Sequence, residues 1–168
     1  MSIRKGNLVK LSDYKQYPFL IPNIELDFNI YDQYVRLKSL MKIEPLFNEE
    51  MPLILEGVGL EVEEVSINGS SLSTGEYTLT ENQLIVNRLP RKTFEIMIIN
   101  RIKPFENYSL EGLYLSESLL TTQCEAEGFR RISFHPDRPD VLSKYRVRIE
   151  AEFEKYPVLL SNGNKVSS

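Results

Sequence analysis

The sequence predicts an all-β domain of antiparallel strands folded into a saddle-like or sandwich sheet. Three observations carry that prediction. Apolar and polar residues alternate with period two in several runs, among them "NIELDFNIY" and "KYRVRIEAEF". Turn dipeptides such as Asn68-Gly69 punctuate the chain between runs. No segment sustains a helical stripe. "IYDQYVRLKSLMKIEPLF" has some helical spacing, but its β-branched and aromatic residues at period two outweigh it.

The elements follow in order. In "NIELDFNIY" Ile24, Leu26, Phe28 and Ile30 face one way and Asn23, Glu25, Asp27 and Asn29 the other, a strand with one wet face. "YVRLKSLMKI" puts Val35, Leu37, Met41 and Ile43 on one side, and the short "YDQ" before it makes the pair a hairpin. "PLILEGVGLEVEEVSING" gives two short strands broken at Gly57 and Gly59. A type I′ turn at Asn68-Gly69 is expected, because both central residues need positive φ. "EYTLT" and "NQLIVN" form another hairpin. "TFEIMIINRI" is apolar on both faces and reads as a strand covered on both sides. "KYRVRIEAEF" alternates strictly, with Tyr145, Val147, Ile149, Ala151 and Phe153 inward. Ile24, Leu26, Phe28, Ile96, Ile98, Val147, Ile149 and Phe153 are the expected core.

Composition narrows the function. The 168 residues suit one domain, 1–168, large enough to bury a core without staples. A net charge of -4 without a basic stripe gives no footprint for nucleic acid. No apolar run is long enough for a signal core or a membrane helix, so no membrane partner is expected. One cysteine, Cys124, rules out an internal disulfide, and with one histidine, His135, it cannot build a four-ligand structural zinc site. A cytoplasmic location is the expectation. "KYPVLLSNGNKVSS" reads as a strand, then a turn at Asn162-Gly163 with almost no return strand. The chain is therefore expected to be cut from something longer, and the "YPVLLS" edge to invite self-association.

The chemistry-bearing stretch is "TTQCEAEGFRRISFHPDRPDVLSKY". A Cys–His nucleophile would need Cys124 beside His135, and nothing in the sequence puts them together. Cys124 reads as a small buried hydrophobe and His135 as an aromatic-type packing position between Phe134 and Pro136. Glu125 and Glu127, two apart on a strand, would share a face. They form either a solvated loop edge or a wall that holds a cation. "HPDRPDVLSK" reads as a tight turn and a short helical turn, with Arg138 paired locally to Asp137 or Asp140.

"LEGLYLS", "TQCEAEGFRRISFHPDRPDVLSKY" and "KYPVLLSNGN" together resemble the N-terminal domain of the aminopeptidase N family, most closely its bacterial alanyl aminopeptidases. The likeness is strong over 110–164 and collinear but weaker before it. These are zinc exopeptidases of the gluzincin class. The resemblance implies a β domain packed on a catalytic domain that supplies the zinc-binding H-E-x-x-H helix and a G-A-M-E-N loop. Neither motif lies in this chain, so no catalytic residue and no metal ligand is expected here, and zinc belongs to the parent enzyme. It further implies that Glu125 binds the free α-amino group of a peptide substrate, with a cis Glu125–Ala126 peptide. Gln123 is the candidate for orienting that loop, and Glu127 is structural. The implied partners are peptides with a free N-terminus and the parent's own catalytic domain; the 168 residues alone would be inactive. Two departures stand. The family domain runs a few strands past this endpoint, and relatives more often carry Tyr or Phe where His135 stands. A free-standing β-sandwich binding or adhesion module is the rival reading, and a small Cys–His hydrolase a more distant one.

Overall fold

The apolar row of one central strand organises the domain. In the computed structural model, which describes residues 10–167, strand β9 (Phe94–Ile102) lies between β3 (Val35–Pro45) and β5 (Glu61–Ile67), antiparallel to both. β2 (Asn23–Ile30) pairs with the outer side of β3, and the turn between them is closed by Tyr31 N–H donating to Tyr34 O at 3.0 Å. The predicted hairpin is therefore present. A two-residue strand β1 (Phe19–Leu20) also pairs with β3, and β6 (Ser70–Ser71) pairs with β5. Asn68 and Gly69 have φ of 50° and 79°, as the predicted turn requires. Asn68 Oδ1 also accepts from Glu95 N–H at 2.9 Å, which ties the turn to β9.

A second, three-stranded sheet contains β4 (Leu53–Glu56), β7 (Tyr77–Leu79) and β8 (Gln83–Val86), in the order β4-β8-β7. The β7–β8 pair is the predicted hairpin. Leu53, Leu55, Leu84 and Val86 share one buried cluster with Ile24, Leu26, Val35, Leu37, Met41, Ile43, Phe94, Ile96 and Ile98 from the large sheet. Burying such side chains contributes about 1.5–3 kcal/mol each. Ser39 stands inside this apolar row, and its hydroxyl donates to Ile98 O at 3.3 Å, so the polar group is satisfied where it is buried. The other face of the large sheet is wet. There the Glu63 carboxylate sits between Arg36 and Arg101, and Arg101 also lies over the Tyr34 ring. β9 is covered on both sides only in part, since Ile99 is buried but Met97 is half-buried.

The chain then forms a separate hairpin, β10 (Gly112–Ser116) with β11 (Leu119–Gln123), and a 3-10 turn at Phe129–Arg131. It returns beside the second sheet, where Glu56 and His135 exchange backbone hydrogen bonds of 2.9 and 3.0 Å. Phe134 fills the space against Gly57 and is 1% exposed. No helix of the described residues is long and apolar enough to cross a membrane.

Four expectations fail near the C-terminal end. β12 (Lys144–Glu150) joins β2 in parallel, so the large sheet is mixed rather than antiparallel. Alternation fixes which side chains share a face but not the direction of the neighbouring strand. Tyr145, Val147 and Ile149 lie opposite Ile24, Leu26 and Phe28. Yet Val147 is exposed and Ile149 only half-buried, because β12 is an edge strand with a neighbour on one side alone; Phe28, on the interior strand β2, is half-buried as well. Ala151 is half-buried, and Phe153 lies beyond β12 and is 73% exposed. "YPVLLS" is not a strand, and among the described residues β12 forms this edge of the large sheet. "PDVLSK" makes a turn at Pro139–Asp140 and then continues without regular structure into β12, with no helical turn.

A Cβ at Gly57 would collide with the buried Phe134 ring. Gly57→Ala is expected to destabilise the domain by about 1–3 kcal/mol, as overpacking does. Gly57→Ala with Phe134→Leu should be less than additive. Thermal unfolding of the single and double variants checks both.

Candidate functional site

Residues 123–140 form one connected unit at the end of the β10–β11 hairpin. Gln123 closes β11 opposite Gly112, and Cys124–Gly128 makes a tight loop. Gly128 N–H donates to Cys124 O at 2.8 Å. A side chain at Gly128 would meet Cys124 Cα at 2.8 Å, so only glycine closes the loop this tightly. The Glu125–Ala126 peptide is cis. Gln123 Nε2 donates to Glu125 O at 3.2 Å. The sequence singled out Glu125, Ala126 and Gln123; all three lie in this unit, and all three are exposed.

The strand geometry expected for Glu125 and Glu127 is absent. Both belong to a turn, so the rule that residues two apart share a face does not apply. Their charges are sorted in another way. Glu127 Oε1 lies 3.4 Å from Arg130 Nη2, whereas no hydrogen bond or ion pair among the described residues engages the Glu125 carboxylate. That leaves Glu125 as an outward-facing anion held at the loop apex.

Arg130 was not singled out by the sequence, and Asp137 only as a partner for Arg138; the two hold the unit together. Arg130 Nε and backbone N–H both donate to Asp137 Oδ2, at 3.0 and 3.2 Å, and Arg130 Nη2 donates to Asp137 O at 3.2 Å. Asp137 N–H donates to Glu56 Oε2 at 3.2 Å, and Val58 N–H donates to Arg130 O at 2.9 Å. Arg138 takes the other aspartate. Its guanidinium makes two 2.8 Å bonds to Asp140 and one of 2.7 Å to Lys15 O. Tyr14 Oη donates to the same carboxylate at 2.9 Å, so the local ion pair expected of Arg138 also fastens the N-terminal segment.

Beneath the loop, Phe129, His135 and Tyr145 stack edge to face or tilted, with centroids 5.1–6.4 Å apart. His135 is the aromatic-type packing residue the sequence suggested. Its Nε2 lies 3.2 Å from Tyr145 Oη, and its Nδ1 is buried without a partner among the described residues. Burial drives the His135 pKa down to about 4, against the opposing pull of the Asp137 charge. Burial, and then the Asp137 charge, raise the Cys124 thiol, so it stays protonated and weakly nucleophilic. The donor set does not fit a zinc ion: its one imidazole is engaged by Tyr145, its one thiol is held protonated, and no group of three ligand-type side chains converges among the described residues.

The comparison with known proteins decides the family. The sequence profile of the Peptidase M1 N-terminal domain matches residues 13–168. The chain belongs to that family. It is 41% identical over 160 residues to Aminopeptidase N of Caulobacter vibrioides, covering 95% of this chain and 18% of that protein. It is 40% identical over 156 residues to Aminopeptidase N of Haemophilus influenzae, covering 93% and 18%. This M1 N-terminal domain thus spans about a fifth of the length of the curated relatives it matches. Legionella pneumophila aminopeptidase A, solved in complex with aspartic acid, superposes with a TM-score of 0.87 at 34% identity over 95% of this chain and 19% of that one. An M1 zinc metallopeptidase from Deinococcus radiodurans shares the fold, with a TM-score of 0.68 at 17% identity over 81% and 33%. The all-β class read from the alternation is observed, and the M1 N-terminal fold is the one the resemblance implied.

His135 makes the domain acid-sensitive. Its folded pKa lies below the unfolded value of about 6.5, so its contribution is fully present above pH 6.5 and is lost as pH falls toward 4. Between pH 7 and 4.5 this costs about 2–3 kcal/mol. His135→Phe should flatten the pH dependence of urea unfolding by about that amount.

Proposed function

We propose that this domain is the N-terminal part of a zinc-dependent aminopeptidase and that it forms one wall of the substrate site, with Glu125 binding the peptide's α-ammonium. The observation that carries the reading is the exposed Glu125 carboxylate, unpaired among the described residues and held on a closed loop in a domain whose relatives are named aminopeptidases. An exopeptidase has to count from the chain end. A carboxylate facing an ammonium makes a short charge-assisted hydrogen bond. An internal peptide brings no ammonium and would leave that carboxylate partly desolvated and unpaired, which disfavours it. A second carboxylate, the zinc and the group that activates water would come from the catalytic domain of the parent. Zinc there would polarise the scissile carbonyl and activate water. This chain's part is to bind and orient the amino end and to close that side of the site. The free thiol of Cys124 goes with a reducing, cytoplasmic setting.

The experiment is kinetics of Glu125→Ala and Glu127→Ala in the parent enzyme on one alanyl substrate. Glu125→Ala should lower kcat/KM by about one to two decades, mostly through KM, as loss of a charge-assisted bond of about 1.5–3 kcal/mol does. Glu127→Ala should do much less, since its carboxylate faces Arg130. Equal small effects would remove Glu125 from the site. The 168 residues alone should neither retain zinc nor cleave the same substrate. Metal analysis and an assay of the purified chain test this; stoichiometric zinc with turnover would overturn it.

A further inference from the structure

We propose that the Arg130–Asp137 ion pair is the device that positions Glu125. The proposal rests on the reading that Glu125 receives the α-ammonium. Glu125, Ala126 and Glu127 are all exposed, so no described residue of this domain packs over the loop to fix its apex. The apex is set by its two ends. At the first end Gln123 is locked into the hairpin, and its side chain holds Glu125 O. At the second end the 3-10 turn Phe129–Arg131 packs on β10 at Gly112 and on the rings of His135 and Tyr145, and Arg130 adds the anchor that fixes its direction.

The anchor has the properties a positioning element needs. The pair is mostly covered, its side chains 22% and 14% exposed, whereas Arg91–Glu50 on the surface is 78% and 81% exposed. Arg130 meets Asp137 through its backbone amide and two guanidinium nitrogens at once, which fixes direction as well as distance. Asp137 is held by Glu56, and Arg130 O by Val58 N–H, so the pair is referred to the end of β4. Arg130 also draws in Glu127. It therefore sorts the two loop carboxylates, drawing Glu127 to its own side and leaving Glu125 unpaired among the described residues.

The test uses the full-length enzyme with Asp137→Asn, Glu125→Ala and the double variant, assayed on an alanyl chromogenic substrate. Asp137→Asn keeps a hydrogen-bond acceptor and removes the charge. It should raise KM by about fivefold or more with kcat changed less than about threefold, since a misplaced binding group costs binding first. Asp137→Glu should recover part of the loss. The double variant should be no worse than Glu125→Ala alone, because a residue that acts through Glu125 has nothing left to act on. Additive effects would overturn the proposal, as would an unchanged KM in Asp137→Asn. If Asp137→Asn does not fold, Arg130→Lys, which keeps the charge and loses the fork, is read by the same criteria. A Glu125→Ala enzyme with normal KM would instead sink the reading of Glu125 itself. A raised KM in Glu125→Ala beside a normal KM in Asp137→Asn sinks only the positioning role.

Discussion

The seating of Phe134 on the bare backbone of Gly57 is the contact on which the functional end of the domain depends. The ring is buried where a β-carbon would otherwise stand, and the backbones of Glu56 and His135 pair directly beside it. That seat joins a loop-rich segment to a sheet whose own strands are fixed by apolar packing. Irregular backbone has few hydrogen bonds of its own, so it must take its position from something regular. Here the regular element is the end of β4.

Charge then refines what packing has placed. Asp137 serves Arg130 and Asp140 serves Arg138, so the two aspartates of "HPDRPD" fasten two different segments, the Glu125 loop and the N-terminal stretch at Tyr14 and Lys15. Exposed ion pairs contribute little to stability, about 0–1 kcal/mol each. The partly covered ones at this end matter more for geometry, because their forked hydrogen bonds leave few alternative arrangements. His135, beneath them, is an imidazole in a position shaped for an aromatic ring. Its Nδ1, without a partner among the described residues, and its lowered pKa are the cost of that placement.

The hairpin β2–β3, the turn at Asn68-Gly69, the β7–β8 hairpin and the central β9 were legible because each rests on local information. Period two sets the face, and positive φ sets the turn residue. Glu125, Gln123 and Ala126 were reached through the "QCEAEG" resemblance rather than through spacing. Read by spacing, Glu125 and Glu127 belonged on a strand, and that was wrong because the strand ends at Gln123. Arg130 carried no signal, and Asp137 was legible only as a turn residue beside Arg138. Arg130 and Asp137 are seven residues apart, and only a chain that doubles back past Glu56 brings them together.

By itself the sequence determined the class of fold, most strand faces and the family, since alternation, turn chemistry and a specific motif are all written along the chain. Tertiary structure decided the rest. It made β12 a parallel edge strand, which left Val147 exposed and Ile149 half-buried although they alternate as a core face should. It also chose which aspartate each arginine meets and which glutamate of the loop stays unpaired among the described residues. The physical reason is the same in each case. A side chain's burial and its partner depend on what lies across from it in space, and no periodicity along one strand records that.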